Sequence, residues 1–256
     1  MKFSLAIGLL IISTGLLAQD RSLFEKKEFI QGNDTLRYRI LYPLDYREGK
    51  KYPVVLFLHG SGERGSDNEI QLNWGADLFL DSANRQNFPA IVVFPQCPLS
   101  SSWVRHTKSN DSLGFVSTAS PQPTTPLLMV MELMREMIQS GEANDKRMYV
   151  GGLSMGGFGT YDILWRMPHF FAAAFPICGG GSPDKPAQYA RKFPIWIFHG
   201  GADPVVPVAN SRLMYQVFKA AGAEVKYSEY PGVGHDSWKN ALAETALLPW
   251  LFDAKR

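Results

Sequence analysis

A serine set between glycines, an aspartate and a histidine occur in this sequence in an order that can activate a hydroxyl for attack on a carbonyl carbon. Ser154 lies in Gly152-Leu153-Ser154-Met155-Gly156, a G-x-S-x-G pattern. Five residues alone are a weak signal in a glycine-rich chain, so the context carries the reading. Arg147–Gly151 reads as a strand before the serine, and Phe158–Met167 as a helix after it. That strand–turn–helix context holds a nucleophile on a strained elbow. Small residues at 152 and 156 let the turn close without Cβ clashes. The turn places the hydroxyl beyond the carboxyl ends of the strands, where open α/β sheets bind ligands. The competing reading is a tight turn with a structural serine.

A serine hydroxyl is a poor nucleophile until a base takes its proton. Five histidines compete for that role. His59 and His199 each end a strand inside a His-Gly pair and read as turn-fixing residues. His169 follows Pro168 at a helix end, and His106, the second choice, lies in a polar stretch. His235 sits in Pro231-Gly-Val-Gly-His-Asp-Ser-Trp238, between the last strand and the last helix. The base falls there when the chain order runs serine, acid, histidine. A third group must hold that base in the right tautomer. Asp203, just past the strand Ile195–Phe198, satisfies the order, with Asp184 as runner-up; Asp236 adjoins His235 and cannot easily fold back on its ring. Donors for the developing oxyanion are expected from the backbone N–H of Met155 and of Ser61, with Gly62 second.

The elements that must position these residues are legible as alternating periods. Phe24–Ile30 and Thr35–Tyr42 read as a hairpin around Gly32-Asn33-Asp34. Pro53–Leu58, Ala90–Phe94, Arg147–Gly151, Ala172–Ile177, Ile195–Phe198 and Val225–Tyr230 are short apolar strands. Helices are expected over residues 70–81, after a Thr125 cap with Pro126 in the first turn, over Phe158–Met167, over Ser211–Ala221, and from Ser237 with an interruption at Pro249. The methionines around Met134 read as packing. Strands and helices in alternation predict an α/β fold, a mostly parallel central sheet with helices on both faces and no large cap domain. Pro98–Pro123 is too long and polar for a plain connection, and is either disordered or a functional loop.

Composition excludes several classes. There are 26 basic and 24 acidic residues, a net charge of +2, and no basic run, which gives nucleic-acid binding no support. Gly60-Ser61-Gly62-Glu63-Arg64-Gly65 spells G-x-G-x-x-G, yet Phe94 is followed by Pro95-Gln96 where a dinucleotide site needs an acid. No histidine, cysteine or carboxylate pair has metal-ligand spacing, so neither a metal nor a cofactor is expected. Lys2, the apolar run Phe3–Leu17 and Ala18-Gln19-Asp20 predict a secretory signal over 1–18, cleaved after Ala18. The run is short of the roughly 20 residues a membrane span needs. The remainder, 19–256, is expected to be one catalytic domain, secreted or periplasmic and free of the membrane after cleavage. Export makes a disulfide between Cys97 and Cys178 chemically possible. Three inter-strand spacings of ~4.8 Å put them beyond the ~7 Å Cα limit, and two free thiols are expected.

Leu56–Gly65, Gly152–Thr160, His199–Pro207 and Gly234–Trp238 together resemble the single-domain serine esterases of the α/β-hydrolase superfamily. The likeness is to feruloyl and acetylxylan esterases and polyhydroxybutyrate-depolymerase-like proteins, and more distantly to dienelactone hydrolases and prolyl-oligopeptidase catalytic domains. It covers residues from about 24 to 252. The resemblance implies Ser154, Asp203 and His235 as nucleophile, acid and base, and an ester substrate, with polysaccharide-linked acetyl or feruloyl groups suiting an exported enzyme with an open site. Core packing is the first reading of each of Trp74, Trp103 and Trp238; the other is a sugar-stacking face, to which Trp103 and Trp238 are assigned. A serine peptidase of prolyl-oligopeptidase type and a non-catalytic binding module on the same fold are the competing functions.

Overall fold

In the computed structural model, which describes residues 20–108, 115–117, 120–192 and 194–256, the apolar runs build one eight-stranded sheet. In chain order the strands are β1 (Glu25–Gln31), β2 (Asp34–Leu41), β3 (Tyr52–Leu58), β4 (Ile91–Gln96), β5 (His106–Lys108), β6 (Phe115–Ser117), β7 (Ala143–Leu153), β8 (Ala173–Ile177), β9 (Ile195–Gly200) and β10 (Val225–Tyr230). The helices are α1 (Ala76–Leu80), α2 (Ser82–Asn87), α3 (Thr125–Gln139), α4 (Met155–Arg166), α5 (Ala209–Ala220), α6 (Trp238–Leu242) and α7 (Leu247–Asp253). Across the sheet the order is β1-β2-β4-β3-β7-β8-β9-β10, while β5 and β6 pair separately. The β1–β2 and β2–β4 pairs are antiparallel. From β4 to β10 every neighbour is parallel. The expected leader, residues 1–18, lies outside the described residues.

Central β3 shows why its run is continuously apolar. Val54, Leu56 and Leu58 belong to the core cluster of one face, with Leu127 and Met134 of α3, Phe158 of α4 and Phe218 of α5. Val55 and Phe57 point the other way, onto Phe79 of α1 and Leu251 of α7. Successive side chains alternate across a strand, so a strand covered on both faces must be apolar at every position. Each such side chain, taken out of water, contributes about 1.5–3 kcal/mol. Met129, Met131, Met134 and Met137 are all buried in this packing, as expected.

Three local expectations are corrected. Residues 70–81 are not one helix: a 3₁₀ turn over Ile70–Leu72 is followed by α1, and Gly75 between them has φ +90°. A left-handed residue ends a right-handed helix, and glycine is needed there because a Cβ would lie 2.9 Å from the Phe57 ring. Thr124, not Thr125, occupies the N-cap position of α3, and its hydroxyl donates to the Trp103 carbonyl (3.0 Å) instead of capping. The final helix is two helices, broken over residues 243–246, with Pro249 in the first turn of α7, where a missing N–H costs little. The 98–123 stretch contains β5 and β6. Its far end is tied to α4 by Arg166, which donates to the carbonyl of Ser120 (2.9 Å) while pairing with buried Asp162 (2.7 Å).

Cys97 and Cys178 are free and buried. They follow β4 and β8, which β3 and β7 separate in the sheet. Between β8 and β9 the described chain carries only two 3₁₀ turns, Pro186–Gln188 and Ala190–Lys192.

Candidate active site

Ser154 sits at the carboxyl end of β7 and leads directly into α4. Its backbone has φ +52° and ψ −117°, a conformation an L-residue adopts only at a cost of roughly 1–3 kcal/mol. The surroundings hold it there: the Ser154 N–H donates to the Ile177 carbonyl (2.9 Å), and its own carbonyl accepts from Phe158 N–H (3.0 Å). The flanking glycines are obligatory for space. A Cβ on Gly156 would collide with the Leu58 carbonyl, and one on Gly152 would lie 2.5 Å from the Gly156 oxygen. Helix α4 is thereby seated against the end of β3 with the serine hydroxyl at its N-terminus.

Three loops bring the remaining groups to that hydroxyl. His235, on the loop after β10, places Nε2 2.9 Å from Ser154 Oγ. Its Nδ1 lies 2.7 Å from Asp203 Oδ2, on the loop after β9. A carboxylate accepts only, so Nδ1 carries the proton and Nε2 is left to accept from the serine hydroxyl. Asp203 is itself held by four donors. Its Oδ1 takes the N–H groups of Val205 (2.8 Å) and Val206 (2.9 Å), and its Oδ2 takes His235 and His199. Burial alone would raise the pKa of this carboxyl; the bonds from His199, His235 and the two amides outweigh that and hold it well below the usual carboxylate range.

His199 does more than fix a turn. The imidazole is fully buried at the end of β9. Its Nε2 faces both the Val206 carbonyl (2.9 Å) and Asp203 Oδ2 (3.2 Å), so that nitrogen bears the proton. Nδ1 then accepts from the Ser211 hydroxyl of α5 (2.6 Å). His59, at the end of β3, is fixed in the opposite tautomer. Its Nε2 accepts from Cys97 N–H (2.9 Å), and its Nδ1 donates to the Gly60 carbonyl (2.6 Å). Burial lowers its pKa from 6.5 to about 4, which keeps the ring neutral. In a trans peptide the N–H points opposite the C=O. Anchoring the Gly60 carbonyl on His59 therefore turns the Ser61 N–H away from the core. Ser61 and Met155 both line the cleft that opens on Ser154, together with Arg64, Ser102, Val205 and Val206, in a volume of about 350 Å³.

Residues 45–246 match the model of the phospholipase/carboxylesterase family. The chain belongs to that family. A thermostable esterase of known structure is 36% identical, with a TM-score of 0.82 over 92% of this chain and 64% of its own. Acyl-protein thioesterase 1 of Gibberella zeae is 37% identical over 60 residues, 23% of this chain and 26% of the relative. A ferulic acid esterase from Anaeromyces mucronatus, solved with ferulic acid, has a TM-score of 0.62 at 17% identity over 85% of this chain and 86% of its own. That last likeness is one of fold.

In this family member the tryptophans separate into different roles. Trp103 is not a stacking surface: it is fully buried, its ring meets His59 edge-on (centroids 5.1 Å apart), and its Nε1 donates to the His59 carbonyl (3.0 Å). A side chain with no exposed area cannot meet a sugar, so the expectation for Trp103 is corrected. Trp238 is half-buried and stands edge-on to His235, with ring centroids 5.4 Å apart. Trp74 packs against Trp238 at 5.6 Å. Among the described residues one group has metal-ligand types: donor atoms of Cys178, Asp203 and His235 lie within 4.8 Å of one another. Two of them are already hydrogen-bonded to each other. The Cys178 thiol is pushed up by burial and stays protonated, so the group is a poor donor set.

Proposed function

We propose that this chain is a secreted serine carboxylic-ester hydrolase that works through an acyl-enzyme on Ser154 and removes acetyl or feruloyl groups from plant polysaccharides. The observation that carries the reading is the hydrogen-bonded run from Asp203 through His235 to Ser154 on a strained elbow, facing a cleft. His235 Nε2 takes the hydroxyl proton as Ser154 Oγ attacks the ester carbonyl. The N–H groups of Met155 and Ser61 receive the developing oxyanion. The imidazolium, steadied by Asp203, then gives its proton to the departing alcohol oxygen. Water, deprotonated by the same Nε2, attacks the acyl carbon; the imidazolium returns that proton to Ser154 Oγ as the bond to it breaks and the carboxylic acid leaves.

Support for a bulky carrier comes from what surrounds the cleft. The described chain between β8 and β9 places only two 3₁₀ turns where a cap would be inserted. Trp238, half-buried beside His235, and Trp74, half-buried against it, are the tryptophans of that set left to meet a sugar or feruloyl ring. The leader pattern at residues 1–18 supports export, and no helix among the described residues is long and apolar enough to cross a membrane.

The test is hydrolysis of p-nitrophenyl acetate, methyl ferulate and acetylated or feruloylated xylan by residues 19–256, beside Ser154→Ala. Loss of a nucleophile lowers turnover by several orders of magnitude, about 10⁶ in a comparable triad. Activity abolished by the substitution is the expected result. Equal rates in both proteins contradict the role of Ser154, and activity on the aryl esters without any on xylan contradicts the polysaccharide refinement.

A further inference from the structure

The cleft beside Ser154 has two chemically different wings, and the sheet order sets them apart. Ser61 and Arg64 follow β3, and Ser102 follows β4, on one side of the β7 elbow. Val205 and Val206 follow β9, two strands away on the other side, next to Met155. One wing is therefore polar and cationic and the other apolar.

Arg64 is held by backbone, not by an acid. Its Nε donates to the Ser61 carbonyl (3.0 Å), and its Nη1 donates to the carbonyls of Leu99 (3.3 Å) and Ser101 (3.2 Å). These bonds hold the guanidinium in place beside the cleft that Arg64 lines. Among the described residues Arg64 has no ion pair, and its Nη2 has no hydrogen bond. The neighbouring carboxylate does not serve it. Glu63 is buried, burial pushes its carboxyl up from the usual carboxylate range, and no ion pair joins it to Arg64. A positive charge at the nucleophile's cleft, already immobilised and left with a free N–H edge, is preorganised for a carboxylate. The entropy of ordering its long side chain is met in the folded protein, before any ligand arrives.

We infer that Arg64 is a specificity-determining residue whose free guanidinium edge, with the Ser61 and Ser102 hydroxyls, forms a subsite for a carboxylate on the substrate. The preferred substrates are then anionic esters, such as an ester of an acidic sugar or a hemi-ester of a dicarboxylic acid. The inference rests on the esterase reading and narrows it. Apolar Met155, Val205 and Val206 receive the part of the ester on the other side of the scissile bond.

Two matched pairs of substrates test it, because the carboxylate can lie on either side of the ester. The first is mono-(4-nitrophenyl) glutarate against its methyl ester; the second is 4-acetoxybenzoate against methyl 4-acetoxybenzoate. In the wild type one pair is expected to favour the anionic member by about tenfold in kcat/KM, the low end for a hydrogen bond to a charged group at a half-exposed site. The difference should lie in KM and shrink as salt is raised. Arg64→Gln should erase the preference, and Arg64→Lys should keep part of it. Because Arg64 also holds the Ser61 carbonyl, both members of a pair are expected to slow in the variants, and the ratio is the quantity read. Hydrolysis of the neutral esters with no anionic preference in either pair overturns this inference alone. So does a preference that survives Arg64→Gln or is indifferent to salt. Failure to hydrolyse any of the four overturns the esterase reading and this one with it.

Discussion

His199 Nε2 stands 3.2 Å from Asp203 Oδ2, the same carboxylate oxygen that receives the N–H of His235 at 2.7 Å. Asp203 thus lies between two imidazoles, one on the loop after β10, half-exposed and facing the serine, the other at the end of β9, buried and facing the core. Hydrogen bonds to a charged acceptor contribute about 1.5–3 kcal/mol each. His199→Phe, which keeps the ring volume and removes the N–H, is expected to lower kcat/KM on an aryl acetate by about 10- to 100-fold. His199→Gln, which retains an N–H donor, should recover part of that loss. Full activity in the phenylalanine variant would show that the second imidazole contributes packing alone.

Asp203→Asn is expected to be far more damaging. Oδ1 accepts two backbone N–H groups, so the amide oxygen of asparagine takes that position. Its NH₂ is then left facing His235 Nδ1. A donor there favours the tautomer with the proton on Nε2, which cannot accept from Ser154. The equivalent exchange in a serine protease costs about 10⁴ in kcat, and a loss of that order in steady-state turnover is the expected outcome.

Local space separates two glycines, one at the elbow and one on the loop after β3. Gly156→Ala should fail to give a stably folded protein, because its Cβ would overlap the Leu58 carbonyl of a central strand. Gly62→Ala meets nothing within 4 Å and should leave thermal stability close to that of the parent. Thermal unfolding of the two variants, side by side, reads the difference directly.

Acid sensitivity should trace in part to His59. Its pKa drops from 6.5 to about 4 on folding, because burial disfavours the charged ring. Between those values the unfolded chain binds the proton more readily than the folded one, so stability rises with pH across the window. Lowering the pH from above 6.5 to about 4 should therefore remove roughly 3 kcal/mol at most through this residue. Urea midpoints measured against pH should show that slope, and His59→Gln should flatten it.

Much of this was legible in residue types and spacing. The order Ser154, Asp203, His235 is a linear property, and alternating apolar runs place all three at the carboxyl ends of strands. The partners of those residues were harder to read. His59 and His199 each end a strand in His-Gly, a signal visible in the sequence, but nothing linear says that one ring orients the Gly60–Ser61 peptide while the other holds Asp203. Those contacts join segments 38 and 4 residues apart, Cys97 with His59 and His199 with Asp203, through tautomers that only the surrounding acceptors define. The choice between core and sugar face for Trp103 is hidden for the same reason: its burial against His59 depends on how the polar 98–123 stretch folds back. The break at Gly75 depends on the Phe57 ring behind it, which local periodicity does not register.

The central claim is a covalent one, that Ser154 carries the acyl group between two half-reactions. Rapid acid quenching of residues 19–256 mixed with excess p-nitrophenyl acetate, followed by peptide mass spectrometry, tests it most directly. The account predicts one acetyl group on the peptide containing Ser154, formed at the rate of the nitrophenolate burst and absent from Ser154→Ala. Turnover with Ser154 unmodified, or acetyl on another side chain at a kinetically competent rate, would contradict it.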